Sequence, residues 1–154
     1  LPSGLDAAKQ NLKKEIKLRG IDPNRLVFLD YVQTPQHLAR LKLMDLSLDT
    51  FPFTGGVTTS DAVRMCLPVL TYLGESFGSR VSGSVLKALN MDELVAKSKK
   101  EYVNIAVELA TNKNKLKKIK KKLKQNLPSS LLFDTKSYCN HLEEAFLKVL
   151  NKTK

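Results

Sequence analysis

Five residues in the stretch "GGVTTSD", Gly55, Gly56, Thr58, Thr59 and Asp61, have the right types and spacing to hold an anion. Paired glycines let the backbone approach a phosphate closely, and two threonines add hydroxyl donors. An aspartate one turn further on is poorly placed beside phosphate charge but well placed to accept hydrogen bonds from ribose hydroxyls. The preceding residues, Leu46 to Asp49, read as the end of a short strand. From Thr58 onward, Ala62, Val63 and Met65 read as a helix stopped by Leu67-Pro68, so the glycines sit in a strand-to-helix turn. A helix start carries about half a positive charge and several free N–H donors, which attract anions without a lysine. The spacing is neither G-x-G-x-x-G nor G-x-x-x-x-G-K-[ST]. On residues alone, nucleotide binding and a plain tight turn both stay open, and Asp61 is either a ribose acceptor or a helix cap.

The elements that would position this turn follow from hydrophobic periodicity. Residues 5–19 form a helix with Leu5, Ala8, Leu12 and Ile16 on one face, closed by Gly20. "RLVFLD", 25–30, is an apolar run of the kind found in strands covered on both faces. In "TPQHLARLKL" Thr34 is placed to cap a helix and Pro35 to begin it. "DLSLD" and "PVLTYL" are further strands, and "SRVSGSVLKAL" a further helix. This rhythm predicts a Rossmann-like α/β fold, a parallel sheet with right-handed crossovers and flanking helices. From Met91 onward the pattern reads as helical throughout: 91–96, 98–111, 113–124 and 134–151. The expected organisation is a nucleotide-sugar-binding domain over 1–112, with helices over 113–154 closing the same domain. Ligands of such sheets bind outside the carboxyl ends of the strands. There the loops "YVQTPQH", "TFPFTGGVTT" and "GESFGSR" would share one rim, adding His37 and Arg80 to the turn. Arg80 either steers phosphate or ties its loop to the following helix.

Composition narrows the partners. The chain of 154 residues is 42% hydrophobic, enough for one domain with a real core. No apolar run approaches the ~18 residues of a membrane span, and the start has no secretory pattern. It begins without methionine and reads as a piece of a longer protein. Cys66 and Cys139 have no metal-ligand companions nearby and read as buried free thiols of a reducing, cytoplasmic compartment. The net charge is +11, of which the eight lysines of "KNKLKKIKKKLK", 113–124, supply all but three. Leu116, Ile119, Leu123 and Leu127 recur at helical spacing, so the run reads as an amphipathic helix with a solvated lysine face. It has no arginine and no aromatic residue to stack on a base, which argues against nucleic acid as the partner.

The order of the loops carries a resemblance. "LDTFPFTGGVTTSDAVRMCLPVLTYLGESFGSRVSGSVL" resembles the donor-binding half of glycosyltransferase family 41, the O-GlcNAc transferase and Spindly-like group. Upstream, "NRLVFLDYVQTPQHLARL" is similar to the family segment ending in a histidine that faces the donor base. Downstream, "EYVNIAVELATN" and "LPSSLLFDTKSYCNHLEEAFLKV" resemble its closing helices. The resemblance implies the C-terminal half of a two-domain GT-B glycosyltransferase. It implies His37 against the nucleobase, Val32 and Thr34 at the edge of the base pocket, Asp61 on the ribose, and Gly56, Thr58 and Thr59 along the diphosphate. The implied activity is metal-independent, inverting transfer of a sugar to Ser or Thr of proteins, with no cofactor. UDP-GlcNAc is the first donor implied and GDP-fucose the second; a nucleotide-sugar-binding module without transferase activity is the alternative. The protein acceptor would be held by the missing N-terminal half, as would the activating lysine.

Overall fold

A computed structural model describes residues 4–152 and divides the chain into two compact units, Leu1–Gln33 and Thr34–Lys154. In the first unit, α1 (Gly4–Leu18) ends at Gly20, whose φ of 75° suits glycine. The Gly20 N–H donates to Lys17 O at 3.0 Å and the Ile21 N–H to Ile16 O at 3.0 Å, which closes the helix. A single 3-10 turn, Pro23–Arg25, follows, with the Asp22 carboxylate accepting from the Asn24 N–H at 2.9 Å. Residues 26–30 correct the sequence reading: they are irregular and pair with no strand among the described residues. Val27 and Leu29 are 73% and 56% exposed, while Leu26 and Phe28 are half-buried. A strand covered on both faces needs a ladder partner and two layers. Within its unit this segment has only α1 and the turn, and the Lys9 ammonium lies 5.8 Å from the Phe28 ring centre.

The second unit is built on a parallel sheet. Its central strand is β2 (Val69–Tyr72), and its edges are β1 (Ser47–Leu48) and β3 (Val95–Ala96), in the order β1-β2-β3. Ser47 pairs with Val69 and Leu48 with Leu70; Thr71 pairs with Val95 and Tyr72 with Ala96. Helix α3 (Val57–Arg64) links β1 to β2, and α4 (Val81–Ala88) links β2 to β3, the expected strand–helix–strand alternation. Helix α2 (Thr34–Leu41) packs beside α3, α5 (Lys99–Thr111) covers β2 and β3, and α6 (Lys113–Asn126) packs on α5. Helix α7 (Thr135–Lys152) follows two short 3-10 turns. Val63, Val69, Leu86, Leu89, Met91 and Leu123 are buried at the centre of the core. Fully burying such a side chain is worth about 1.5–3 kcal/mol.

Residues 91–96 also correct the sequence reading, since Asp92–Leu94 form a 3-10 turn that leads into β3. Two helix boundaries leave no room for a helix there. Asn90 takes a left-handed φ of 53°, and the Met91 N–H reaches back to Leu86 O at 2.9 Å, which ends α4. Ser98 then opens α5 by accepting from the Glu101 N–H at 3.1 Å, while Glu101 accepts from the Lys97 N–H at 2.7 Å. The same left-handed closure ends α3, at Cys66 with φ 57°.

The lysine run behaves as an amphipathic helix should. Ile119 and Leu123 enter the core and Leu116 is half-buried. Lys115 pairs with Glu108 at 2.6 Å, Lys120 with Asp45 at 2.7 Å and Lys122 with Glu93 at 2.7 Å. The Lys120 ammonium holds the Asp45 carboxyl below its usual range by hydrogen bond and charge. Among the described residues no helix is long and apolar enough to cross a membrane. Both cysteines are free, but Cys139 is exposed and Cys66 half-buried, so neither is the enclosed thiol expected.

Candidate functional site

The turn between β1 and α3 is organised by a residue that sequence reasoning passed over. Asp49 stands at the carboxyl end of β1. One carboxylate oxygen accepts from the N–H groups of Thr50 (3.0 Å) and Gly55 (2.9 Å), and the other from the Thr71 hydroxyl (2.7 Å). Its backbone carbonyl accepts from the Tyr102 hydroxyl at 2.8 Å. The loop 50–55 is thereby folded back onto β2 and α5. The Phe51–Pro52 peptide is cis, and the Phe51 ring meets Tyr72 and Tyr102 edge-on, with centres 5.6 and 5.7 Å apart. The one signal in the sequence was an acidic residue where a parallel strand stops; its partners lie too far along the chain to be read.

A second set of bonds joins this loop to the loop after β2, as the shared rim requires. Gly78 O accepts from both the Thr54 N–H and the Thr54 hydroxyl at 2.8 Å. The Ser82 hydroxyl donates to Gly55 O at 2.8 Å, and Thr59 Oγ1 lies 2.7 Å from Ser82 Oγ. Ser82 has one proton, and Gly55 O takes it, so Thr59 is the donor of the second bond. Thr59 is 2% exposed. Its hydroxyl proton is committed to Ser82 Oγ, so the side chain braces the turn from beneath. Thr58 is exposed, and its hydroxyl makes no hydrogen bond among the described residues. Gly55 has to be glycine, since a Cβ there would lie 2.6 Å from Thr59 Oγ1 and 3.3 Å from Asp49 Oδ1.

Helix α3 begins one residue before Thr58, with Gly56 as its N-cap and no side chain bonded to the cap position. The first intrahelical bond runs from the Ser60 N–H to Gly56 O at 3.0 Å. The N–H groups of Val57, Thr58 and Thr59 therefore point out of the helix start with no capping acceptor among the described residues. A serine or aspartate cap would have taken one of these donors; glycine leaves all three without a side-chain acceptor.

Asp61 is the fifth residue of α3, past the reach of any capping position, so the capping alternative falls. Its half-buried carboxylate has no hydrogen bond or ion pair among the described residues. His37 lies on the first turn and a half of α2, and its Nδ1 is 3.0 Å from an Arg40 guanidinium nitrogen. Arginine only donates, so Nδ1 is the acceptor and the ring proton of neutral His37 sits on Nε2. Thr34 is the exposed first residue of α2, and Val32 is a half-buried residue of the first unit. Arg80 donates to Gly74 O at 3.1 Å within its own loop, so one of its donors ties that loop. Sequence reasoning also missed Thr54, Thr71 and Ser82, all buried, whose short polar side chains hold the two loops together.

The model of Glycosyl transferase family 41 matches residues 5–142. The chain belongs to this family. Among its family 41 relatives, a Caenorhabditis elegans UDP-N-acetylglucosamine--peptide N-acetylglucosaminyltransferase is 39% identical over 136 residues, covering 88% of this chain and 12% of that protein. A probable UDP-N-acetylglucosamine--peptide N-acetylglucosaminyltransferase SPINDLY from Petunia hybrida is 30% identical over 146 residues, 94% of this chain and 16% of the relative. A solved mutant of the Thermobaculum terrenum O-GlcNAc transferase superposes with a TM-score of 0.83 at 29% identity, covering 91% of this chain and 27% of that one. The family 41 chain described here thus spans a small part of the length of these relatives.

Proposed function

We propose that this chain is the donor-binding part of a protein O-GlcNAc transferase: the C-terminal half of a two-domain GT-B enzyme that moves GlcNAc from UDP-GlcNAc to Ser or Thr of proteins. The observation that carries the reading is the uncapped start of α3, braced by Asp49 and Ser82, in a chain of family 41 whose relatives bear UDP-N-acetylglucosamine names. In this reading the diphosphate meets the Val57, Thr58 and Thr59 N–H groups, the Thr58 hydroxyl and the open backbone of Gly55 and Gly56. These donors offset the charge that builds on the leaving diphosphate, the work that a metal does in other transferases. Asp61 accepts from the ribose hydroxyls. His37, with its proton on Nε2, presents a donor to a base carbonyl, with Thr34 at the pocket edge. Arg80 keeps its remaining N–H groups for the phosphate side. The residue that activates the acceptor, and the surface that holds the acceptor protein, belong to the other half, and the compartment is the cytoplasm.

Titration of the chain with UDP, followed by amide exchange, tests this reading. UDP should protect the amides of residues 55–62 and 34–38 at up to millimolar concentration, and absence of protection refutes it. Tighter binding of GDP than UDP would redirect the reading to a GDP-fucose donor. Asp61→Ala should weaken UDP roughly 10- to 150-fold, the loss expected of one charged hydrogen bond of ~1.5–3 kcal/mol. Because Asp61 caps nothing, its stability should be unchanged. A loss of stability with UDP affinity intact would remove Asp61 from the site.

A further inference from the structure

Away from the turn, the C-terminal ends of α2 and α3 and the side of α6 enclose a groove of about 410 Å³. Its floor is apolar, formed by Leu41, Met44, Met65 and Leu67. The α3 carbonyls nearest the floor are already satisfied: Val63 O accepts from the Cys66 N–H and Ala62 O from the Leu67 N–H, both at 2.9 Å. Its rim is cationic. Lys42, Lys117, Lys121 and Lys124 line it, all exposed, and none makes an ion pair or hydrogen bond among the described residues.

On α6, Lys115, Lys120 and Lys122 each have an acidic partner within the unit. Of the five lysines that line the groove, Lys120 is held by Asp45, while Lys42, Lys117, Lys121 and Lys124 have no acidic partner among the described residues. Lys117 and Lys121 are four residues apart and Lys124 is a further turn on, so like charges repel along one stripe. An incoming acid would relieve that repulsion and an apolar side chain would fill the floor below. We propose that this groove docks a protein segment that carries acidic residues together with apolar anchors.

Two other polyanions fit less well. Nucleic-acid phosphates would meet the lysines, but α6 has no arginine to read a base edge and no aromatic residue to stack on a base, and a phosphate backbone leaves the apolar floor unused. A flat anionic bilayer would meet the lysines but leave the recessed floor empty. Only an occupant with both chemistries uses both parts of the groove.

Fluorescence anisotropy with a labelled acidic peptide that bears two leucines one helical turn apart tests the proposal. The competitors are its leucine-to-serine counterpart, polyglutamate of equal charge, duplex DNA and phosphatidylserine vesicles. At physiological salt the leucine peptide should bind, and the serine peptide and polyglutamate should bind roughly tenfold more weakly. Replacing Lys117, Lys121 and Lys124 together by Gln should weaken the leucine peptide by roughly tenfold, summed over three exposed ion pairs. Lys118→Gln, an exposed α6 lysine outside the groove, should change nothing. In the pair Lys117→Glu with Lys121→Glu, a peptide with lysines in place of its acids should recover binding. The proposal is overturned if the leucine peptide does not bind, if polyglutamate binds as well, or if DNA or vesicles bind more tightly. It also fails if Lys118→Gln weakens binding as much as the groove variants do.

Discussion

Asp49→Ala should be among the most damaging single changes near the turn, and the structure says by how much. The carboxylate receives three hydrogen bonds, from Thr50 N–H, Gly55 N–H and the Thr71 hydroxyl. Water can replace the bond to exposed Thr50, so that one costs little. Thr71 is fully buried, at 0% exposure, and its hydroxyl would lose its acceptor. An unsatisfied buried hydroxyl costs about 1–3 kcal/mol, and a lost charged hydrogen bond at Gly55 adds about as much. Since the losses share one loop they do not simply add, and ~3 kcal/mol is the expected total. Asp49→Asn keeps an oxygen for the two N–H groups and turns its NH2 toward Thr71, whose hydroxyl rotates to accept. The charge is lost and the Thr71 proton loses its acceptor, but the hydroxyl keeps one hydrogen bond, so the cost is smaller, about 1 kcal/mol. At ~4 °C per kcal/mol for a domain of this size, Tm should fall by ~12 °C for Ala and ~4 °C for Asn. Urea unfolding measures the energies, and amide exchange at Gly55 reports whether the loop has opened. If Ala and Asn cost the same, or if Ala leaves Gly55 exchange unchanged, Asp49 does not hold the turn.

Gly55→Ala pushes a Cβ to within 2.6 Å of Thr59 Oγ1, so the brace must move; ~1–3 kcal/mol of stability and about tenfold in UDP affinity should be lost, read by urea unfolding and calorimetry. Cys66→Gly removes a left-handed penalty of ~1–2 kcal/mol, set against a more flexible unfolded chain and lost packing, and should raise the urea midpoint by the equivalent of ~0.5 kcal/mol. Burial, and then the Asp49 charge, push the Tyr102 hydroxyl above its ordinary value of 10.0. The neutral hydroxyl is the donor to Asp49 O, so this stabilisation is complete below pH 10.0 and is lost as pH rises through the raised folded value. Tyrosinate absorbance should show one late ionisation that Tyr102→Phe abolishes, at a stability cost of ~1 kcal/mol.

The helices were legible in the sequence because each repeats its apolar spacing over two turns or more. α1 closes at Gly20 as expected, and the structure caps α5 with Ser98 and α6 with Asn112. The parallel alternation was legible from α3, α4 and the apolar run of β2, with β1 placed by the glycine turn that follows it. Strands two residues long carry no periodicity, so β3 was read as helix from the leucine and valine around it. "RLVFLD" failed in the opposite sense: four apolar residues in a row suggest two covered faces, but only Leu26 and Phe28 are sheltered. In the turn, the glycines were legible because their need is local. The directions of the Thr59 and Ser82 hydroxyls were not, because a proton's destination depends on a residue 23 positions away. Asp61 was placed near the helix start by its type, but as the fifth residue of α3, behind the Gly56 N-cap, it lies past the capping position.

The bonds that shape the turn also fix when it can exist. Thr71, Gly78, Ser82 and Tyr102 reach residues 49–55 across 22, 24, 27 and 53 positions. A peptide containing only the glycine-threonine stretch has no acceptor for its Gly55 N–H beyond Asp49, and nothing to hold Asp49 itself. Each of those long closures costs chain entropy that only the assembled sheet and helices return. On a ribosome, the segment that looks most like a binding motif stays shapeless until the chain beyond Tyr102 has left the exit tunnel and α5 has packed on β2. Nascent chains stalled before that point would carry the motif without the pocket, so the capacity to hold a ligand arrives in step with completion of the core.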